Sequence, residues 1–91
     1  MTKVEFYDSG DGWRIKNYFQ LEELINRVSE RTELADFLLD VVAQLKIGDI
    51  KEFDKTINTE DKLEALGETS RGAVVAESYR RCQAGKHFSS N

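Results

Sequence analysis

Residues 4–28 read VEFYDSGDGWRIKNYFQLEELINRV, and a change of rhythm inside this stretch decides the fold. From Val4 to Tyr7, and again from Trp13 to Lys16, apolar and polar side chains alternate. A period of two marks a half-buried strand, because successive side chains on a strand point to opposite faces. Between the two runs stand Asp8, Ser9, Gly10, Asp11 and Gly12, all turn formers. The expectation is a β-hairpin over residues 1–19, with Val4, Phe6, Trp13 and Ile15 on its core face and Glu5 near Arg14 and Lys16 on the other. From Gln20 the period becomes helical: Leu21, Leu24, Ile25 and Val28 recur at i, i+3, i+4 and i+7, with Glu22, Glu23, Asn26 and Arg27 opposite. A two-stranded hairpin is marginal alone in water, so its aromatic face needs the following helices, or another molecule, as cover.

The helical rhythm continues to Gly85. Thr32 followed by Glu33 has the chemistry of a helix N-cap with a first-turn acid, and Leu34, Phe37, Leu38, Val41, Val42 and Leu45 then form a broad apolar face that ends at Lys46 and Gly48. Asp49 and Glu52 have capping-box spacing ahead of Ile50, Phe53 and Ile57. Asn58 precedes the acids Glu60 and Asp61, then Leu63 and Leu66, and Gly67 closes that short helix. A last helix starts near Thr69 or Ser70 and carries Val74, Val75, Tyr79 and Cys82. These elements predict an α+β fold: one small domain over residues 1–91 in which the hairpin packs on a bundle of about four short α-helices, residues 20–85, with the second helix central and residues 86–91 as a flexible tail.

Composition narrows the function. With 91 residues there is room for one core, and 40% hydrophobic against 33% charged residues suits a well-solvated exterior. The longest apolar runs are three or four residues, such as Ala73 to Ala76, far short of the roughly 20 that span a bilayer. The start, Met1 to Glu5, has no apolar leader, and the single cysteine, Cys82, has no internal disulfide partner. A cytoplasmic protein without membrane contact is the expectation. A net charge of −4 repels nucleic acid and anionic membranes and favours basic partners.

Reactive groups are sparse. The sole imidazole, His87, lies in the expected tail, so a nucleophile–base–orienter arrangement has no base. One cysteine and one histidine do not make a zinc site, and the Asp8 to Gly12 stretch lacks both the glutamate of a calcium loop and the lysine of a phosphate loop. The reading is of a protein that is not an enzyme, with no catalytic residues, cofactor or metal.

Binding is what remains, and two surfaces present themselves. Tyr7 points away from the core face of the hairpin and Tyr18 stands at its exit, and tyrosine is a frequent anchor of protein interfaces. Glu33, Asp36 and Asp40, at i, i+3 and i+7, form an acidic stripe on the second helix suited to a basic surface on another protein. This describes a small regulatory module of the inhibitor or antitoxin type. The broad apolar face of the second helix equally suits a homodimer.

The alternative lies in residues 60–85. There LEALGETSRGAVVAESYRR, residues 63–81, resembles the helix-turn-helix of small bacterial repressors, in which a short helix ends in Leu-Gly and Ser-Arg opens the recognition helix. The resemblance implies a DNA-binding regulator: Gly67 permits the turn, Ser70 caps, Arg71 meets phosphate or a base edge, and Arg80, Arg81 and Lys86 add positive charge. The segment departs from that pattern by a longer turn at Glu68-Thr69, by Leu63 where a small residue is usual, and by Glu68 and Glu77 close to the phosphates.

Overall fold

The alternation in residues 4–16 becomes a two-stranded antiparallel hairpin in the computed structural model, which describes residues 3–28 and 30–89, with side chains through residue 84. Strand β1, Phe6–Asp8, pairs with β2, Trp13–Ile15, in the register Phe6 to Ile15, Tyr7 to Arg14 and Asp8 to Trp13. The loop between them closes through the Ser9 N–H on the Gly12 carbonyl at 2.9 Å, with the Asp8 carboxylate accepting from the Gly10 N–H at 2.9 Å. Gly10 and Gly12 hold φ of 92° and 136°, a conformation that side chains disfavour.

Five helices follow: α1 Tyr18–Arg27, α2 Arg31–Gln44, α3 Ile50–Asp54, α4 Thr59–Leu66 and α5 Ser70–Ser89. The α+β class therefore stands, with one helix more than the round figure of four. Helix α2 is central, burying Leu34, Ala35, Phe37, Leu38, Val41 and Val42 and packing on α3 and α4. Helix α5 closes the bundle against α1, α4 and β2. The expected tail begins as helix, since α5 passes through Gly85 to Ser89; residues 90 and 91 lie outside the described residues. Among the described residues, no helix is long and apolar enough to cross a membrane.

The hairpin is tied down mainly at its open end. Val4 is 1% exposed, and its carbonyl accepts from the Gln44 amide at 2.6 Å, joining the segment ahead of β1 to the end of α2. The Asn17 side chain stands in for a strand, accepting from the Glu5 N–H at 2.9 Å and donating to the Lys3 carbonyl at 2.8 Å. Ile15 is buried and Phe6 packs partly buried on the core, as the alternation requires. Trp13 does not follow them: it is 38% exposed. It stands at the loop end of the hairpin, where the Arg71 guanidinium rather than the core covers it, 5.5 Å from its ring and 5.9 Å from that of Phe6. On the opposite face Arg14 meets Tyr7 across the strands, while Glu5 and Lys16 pair through backbone.

Several helix ends obey the local chemistry. Asp49 accepts from the Lys51 N–H and Asn58 from the Glu60 N–H, both at 3.0 Å. Helix α2 differs, with Glu30 at the cap position and Thr32 inside the first turn. Its far end is also shifted from the expected Gly48. Lys46 takes the left-handed conformation, φ 56°, and the Ile47 N–H reaches back to the Val42 carbonyl at 3.0 Å while Ile47 is buried. This is the Schellman arrangement, with lysine where glycine is usual.

The α4–α5 junction also departs from expectation. Gly67 is right-handed, φ −63°, so the turn makes no special demand for glycine there. The cap of α5 is Thr69, whose hydroxyl oxygen accepts from the Gly72 N–H at 3.0 Å, and Ser70 already lies within the first turn. The required glycine is Gly72: a Cβ there would sit 2.2 Å from the Leu66 carbonyl oxygen. The backbone of α5 crosses the end of α4 too closely for any side chain.

Three substitutions test these assignments by urea denaturation. Lys46→Gly removes left-handed strain of about 1–2 kcal/mol against a gain in unfolded-chain freedom of somewhat less, so it should raise stability by up to about 1 kcal/mol. Gly72→Ala should lower stability by roughly 3 kcal/mol through backbone overpacking, although alanine is the better helix former. Gly67→Ala, where the new Cβ finds ordinary contacts at 3.4 Å and beyond, should change it by less than about 1 kcal/mol.

Candidate functional site

Two of the concave surfaces among the described residues hold between them several of the side chains expected to bind a partner. The first is where α1 runs out. The chain leaves the helix at Val28, in extended conformation, and re-enters helix at Arg31, so the last turn of α1 stands beside the first turns of α2. The groove between them has a volume of about 400 Å³. Leu24, Val28 and Phe37 provide its apolar surface, and Glu30, Glu33 and Asp36 stand around it with Arg27 as the one cation. Helical spacing accounts for the arrangement. Glu33 and Asp36 are three apart on one side of α2, and Phe37, next along that side, turns into the core. Asp40 is exposed one turn further on and does not line the groove.

Behind the acidic rim lies a group that the sequence does not advertise. Lys62 on α4 is only 1% exposed, and its ammonium donates to the Thr56 carbonyl at 2.6 Å. Burial pushes its pKa down, while Asp36, Asp61 and Asp54 pull in the opposite direction by favouring the charged form. Asp36 thus lines the groove and also favours the charged form of the buried ammonium through its field, without an ion-pair contact. In the sequence, Asp61-Lys62 reads as an ordinary surface pair, and only the packing of α4 on α2 reveals otherwise.

The second concavity, about 320 Å³, lies between the hairpin and α5. Tyr7, Trp13, Arg14 and Ile15 line it from the hairpin, Tyr18 from the start of α1, and Val74, Glu77, Ser78 and Arg81 from α5. It brings together Tyr7 and Tyr18, expected at a protein interface, with Arg81, expected at nucleic acid. Burial raises the Tyr18 pKa, helped by Cys82 and Glu22 and opposed by Arg81. The Cys82 thiol is likewise pushed up, first by burial and then by Glu22, so it stays protonated and a poor nucleophile.

Within the cleft Arg81 pairs with Glu77 at 2.6 Å. Two other basic candidates are engaged elsewhere: Arg71 covers the rings of Phe6 and Trp13, and Arg80 pairs with Glu60 on α4. Ser70 is exposed, and the side chain of Lys86 lies outside the described residues. Helices α4 and α5 are joined by three residues, 67–69, and the hairpin stands against α5. One exposed apolar side chain had no signal in the sequence: Phe19, 83% exposed, points outward from α1 and meets Tyr18 edge to face at 6.3 Å.

Lys62 makes a pH prediction. Its folded pKa lies below the unfolded 10.5, so the protonated form weighs against folding at neutral pH and the cost fades as pH climbs toward 10.5. Tyr79, raised by burial, acts oppositely: its contribution holds below 10.0 and is lost as pH rises through the folded value. Denaturation midpoints against pH should therefore rise and then fall. Lys62→Met should stay within about 1 kcal/mol of the parent at neutral pH and remove the rise, whereas Lys62→Glu, which adds a buried charge beside three carboxylates, should cost more than about 3 kcal/mol.

Comparison with known proteins found no matching family model, no similar curated protein and no similar solved structure.

Proposed function

We propose that this chain is a non-catalytic regulatory protein that acts by contact, and that the α1–α2 groove receives a basic, amphipathic segment of its partner. The observation that carries this reading is the combination in one groove of an apolar floor, Leu24, Val28 and Phe37, with three carboxylates, Glu30, Glu33 and Asp36, against the single Arg27. Each part has its task. Burying one or two apolar anchors supplies about 1.5–3 kcal/mol apiece. Rim ion pairs, exposed to water, add only about 0.2–1 kcal/mol each, but they select lysine and arginine over acids and speed encounter. The net charge of −4 draws the same partners from a distance. Binding that weakens with added salt follows.

The second reading, duplex DNA binding through α4 and α5, draws on one specific observation, the short turn and the close crossing at Gly72. It is weighed down by Arg71, which is stacked on two rings, and by the hairpin beside α5.

Calorimetric titration with a Lys/Leu amphipathic peptide and its Glu/Leu counterpart tests the proposal. The basic peptide should bind and the acidic one should not, and Glu30→Lys with Glu33→Lys should weaken binding by tenfold or more. Asp36 is left intact in this variant because its charge also favours the buried Lys62 ammonium. Equal binding of the two peptides, or no effect of the double reversal, overturns the groove reading. Salt-sensitive binding to random duplex DNA, lost in Arg71→Ala, would install the second reading instead.

A further inference from the structure

We infer that the cleft between the hairpin and α5 is a binding site for a nucleotide unit, a flat base carrying phosphate, either free or within a single strand. The cleft is separate from the α1–α2 groove, shares no lining residue with it, and does not depend on the proposal made for it.

The inference begins from the lining chemistry. Three aromatic side chains, Tyr7, Trp13 and Tyr18, gather around a space of about 320 Å³, with Ile15 and Val74 as further apolar surface. Small-ligand sites usually combine apolar and aromatic walls with a few placed polar groups; this cleft is richer in polar surface than most, and its volume is at the lower end of the usual range, roughly 300–1,000 Å³. Tyr7 at 46% and Trp13 at 38% exposed are more open than a core requires. Rings left open in a concave wall suit a flat partner, and base-on-aromatic stacking works for any base because every base has a π face.

The charged groups choose among flat partners. Arg14 and Arg81 both line the cleft, and Arg71 stands behind the Trp13 ring. Among the described residues Arg14 makes no ion pair or side-chain hydrogen bond. A guanidinium presents a planar fork that matches phosphate oxygens, so an anionic ligand is preferred to a neutral one. Glu77, held by Arg81 at 2.6 Å, supplies an acceptor for a base amino group or a sugar hydroxyl. The buried Ser78 hydroxyl donates to the Val74 carbonyl at 2.9 Å and keeps lone pairs to accept. Ring, anion and hydroxyl-bearing sugar together describe a nucleotide. A duplex hides its base faces in the stack, whereas a free nucleotide or a single strand offers them.

Trp13 is the only tryptophan, so its fluorescence reports on this cleft alone. Titration with adenosine 5′-monophosphate should give saturable quenching with half-saturation near or below about 1 mM. Adenosine, which has the ring without the charge, should bind at least several-fold more weakly, and inorganic phosphate alone should not quench. A short oligothymidylate distinguishes the sources: tighter binding than the monophosphate assigns the cleft to a single strand, weaker binding to a free nucleotide. Arg14→Gln and Tyr7→Ala should each raise the half-saturation point by about tenfold, while Glu33→Lys, in the other groove, should leave it unchanged. Absence of saturable quenching by both the monophosphate and the oligonucleotide, equal binding of adenosine and its monophosphate, or an unaltered Arg14→Gln variant overturns the assignment.

Discussion

Helix α2 has apolar side chains on too much of its circumference to remain in water, and the rest of the molecule is arranged around covering it. Six residues from Leu34 to Val42 are buried on a helix of fourteen. A chain of this length can bury only about two-thirds of its surface, so little covering material is left over. Helices α3 and α4 take one part of the task, and Val4, held by the Gln44 amide, closes over the end of the helix. The α1–α2 groove follows from this economy: α1 stops at Arg27, and the beginning of α2 is left with an open flank beside Phe37.

Much of this was legible along the chain because it rests on short-range chemistry. Alternation placed the hairpin, helical spacing placed the apolar faces of α1 and α2, and the side chains of Asp49 and Asn58 capped their own helices, which needs only neighbours two residues away. What escaped depends on distant packing. Trp13 alternates correctly with Ile15, yet only the ends of the bundle determine that the core does not reach it. Lys62 looks like a surface residue until α4 lies on α2 and buries it. Gly67 and Gly72 are indistinguishable as letters; the crossing of α5 over the Leu66 carbonyl makes the second indispensable and leaves the first ordinary.

The site residues divide along the same line. Glu33 and Asp36 share a helix face, so their proximity was readable, whereas Glu30 joins them only because the chain turns between α1 and α2. Asp40 continues the stripe in sequence but leaves the groove, since α1 has already ended. Tyr7, Tyr18 and Arg81 were assigned to different functions from sequence and meet in one cleft, a tertiary coincidence of the hairpin packing on α5.

Net charge conceals this division. Seventeen acids and thirteen bases give a mildly acidic total, but the acids dominate the groove and the arginines gather along α5 and the hairpin. The ion pairs that occupy Arg80 and Arg81 are more than 40% exposed on both partners. Pairs of that kind contribute about 0–1 kcal/mol, so a stronger anion could displace the carboxylates at little cost. Electrostatics alone therefore leaves the arginines available. Shape is more selective: with the hairpin against α5, Arg71 stacked on two rings, and Val74, Ser78 and Arg81 in the cleft, the helix faces its own chain with the surface that a recognition helix would have to turn outward. The same packing that narrows the approach of a duplex creates a concave wall of rings and guanidinium groups, where a single flat anion can enter.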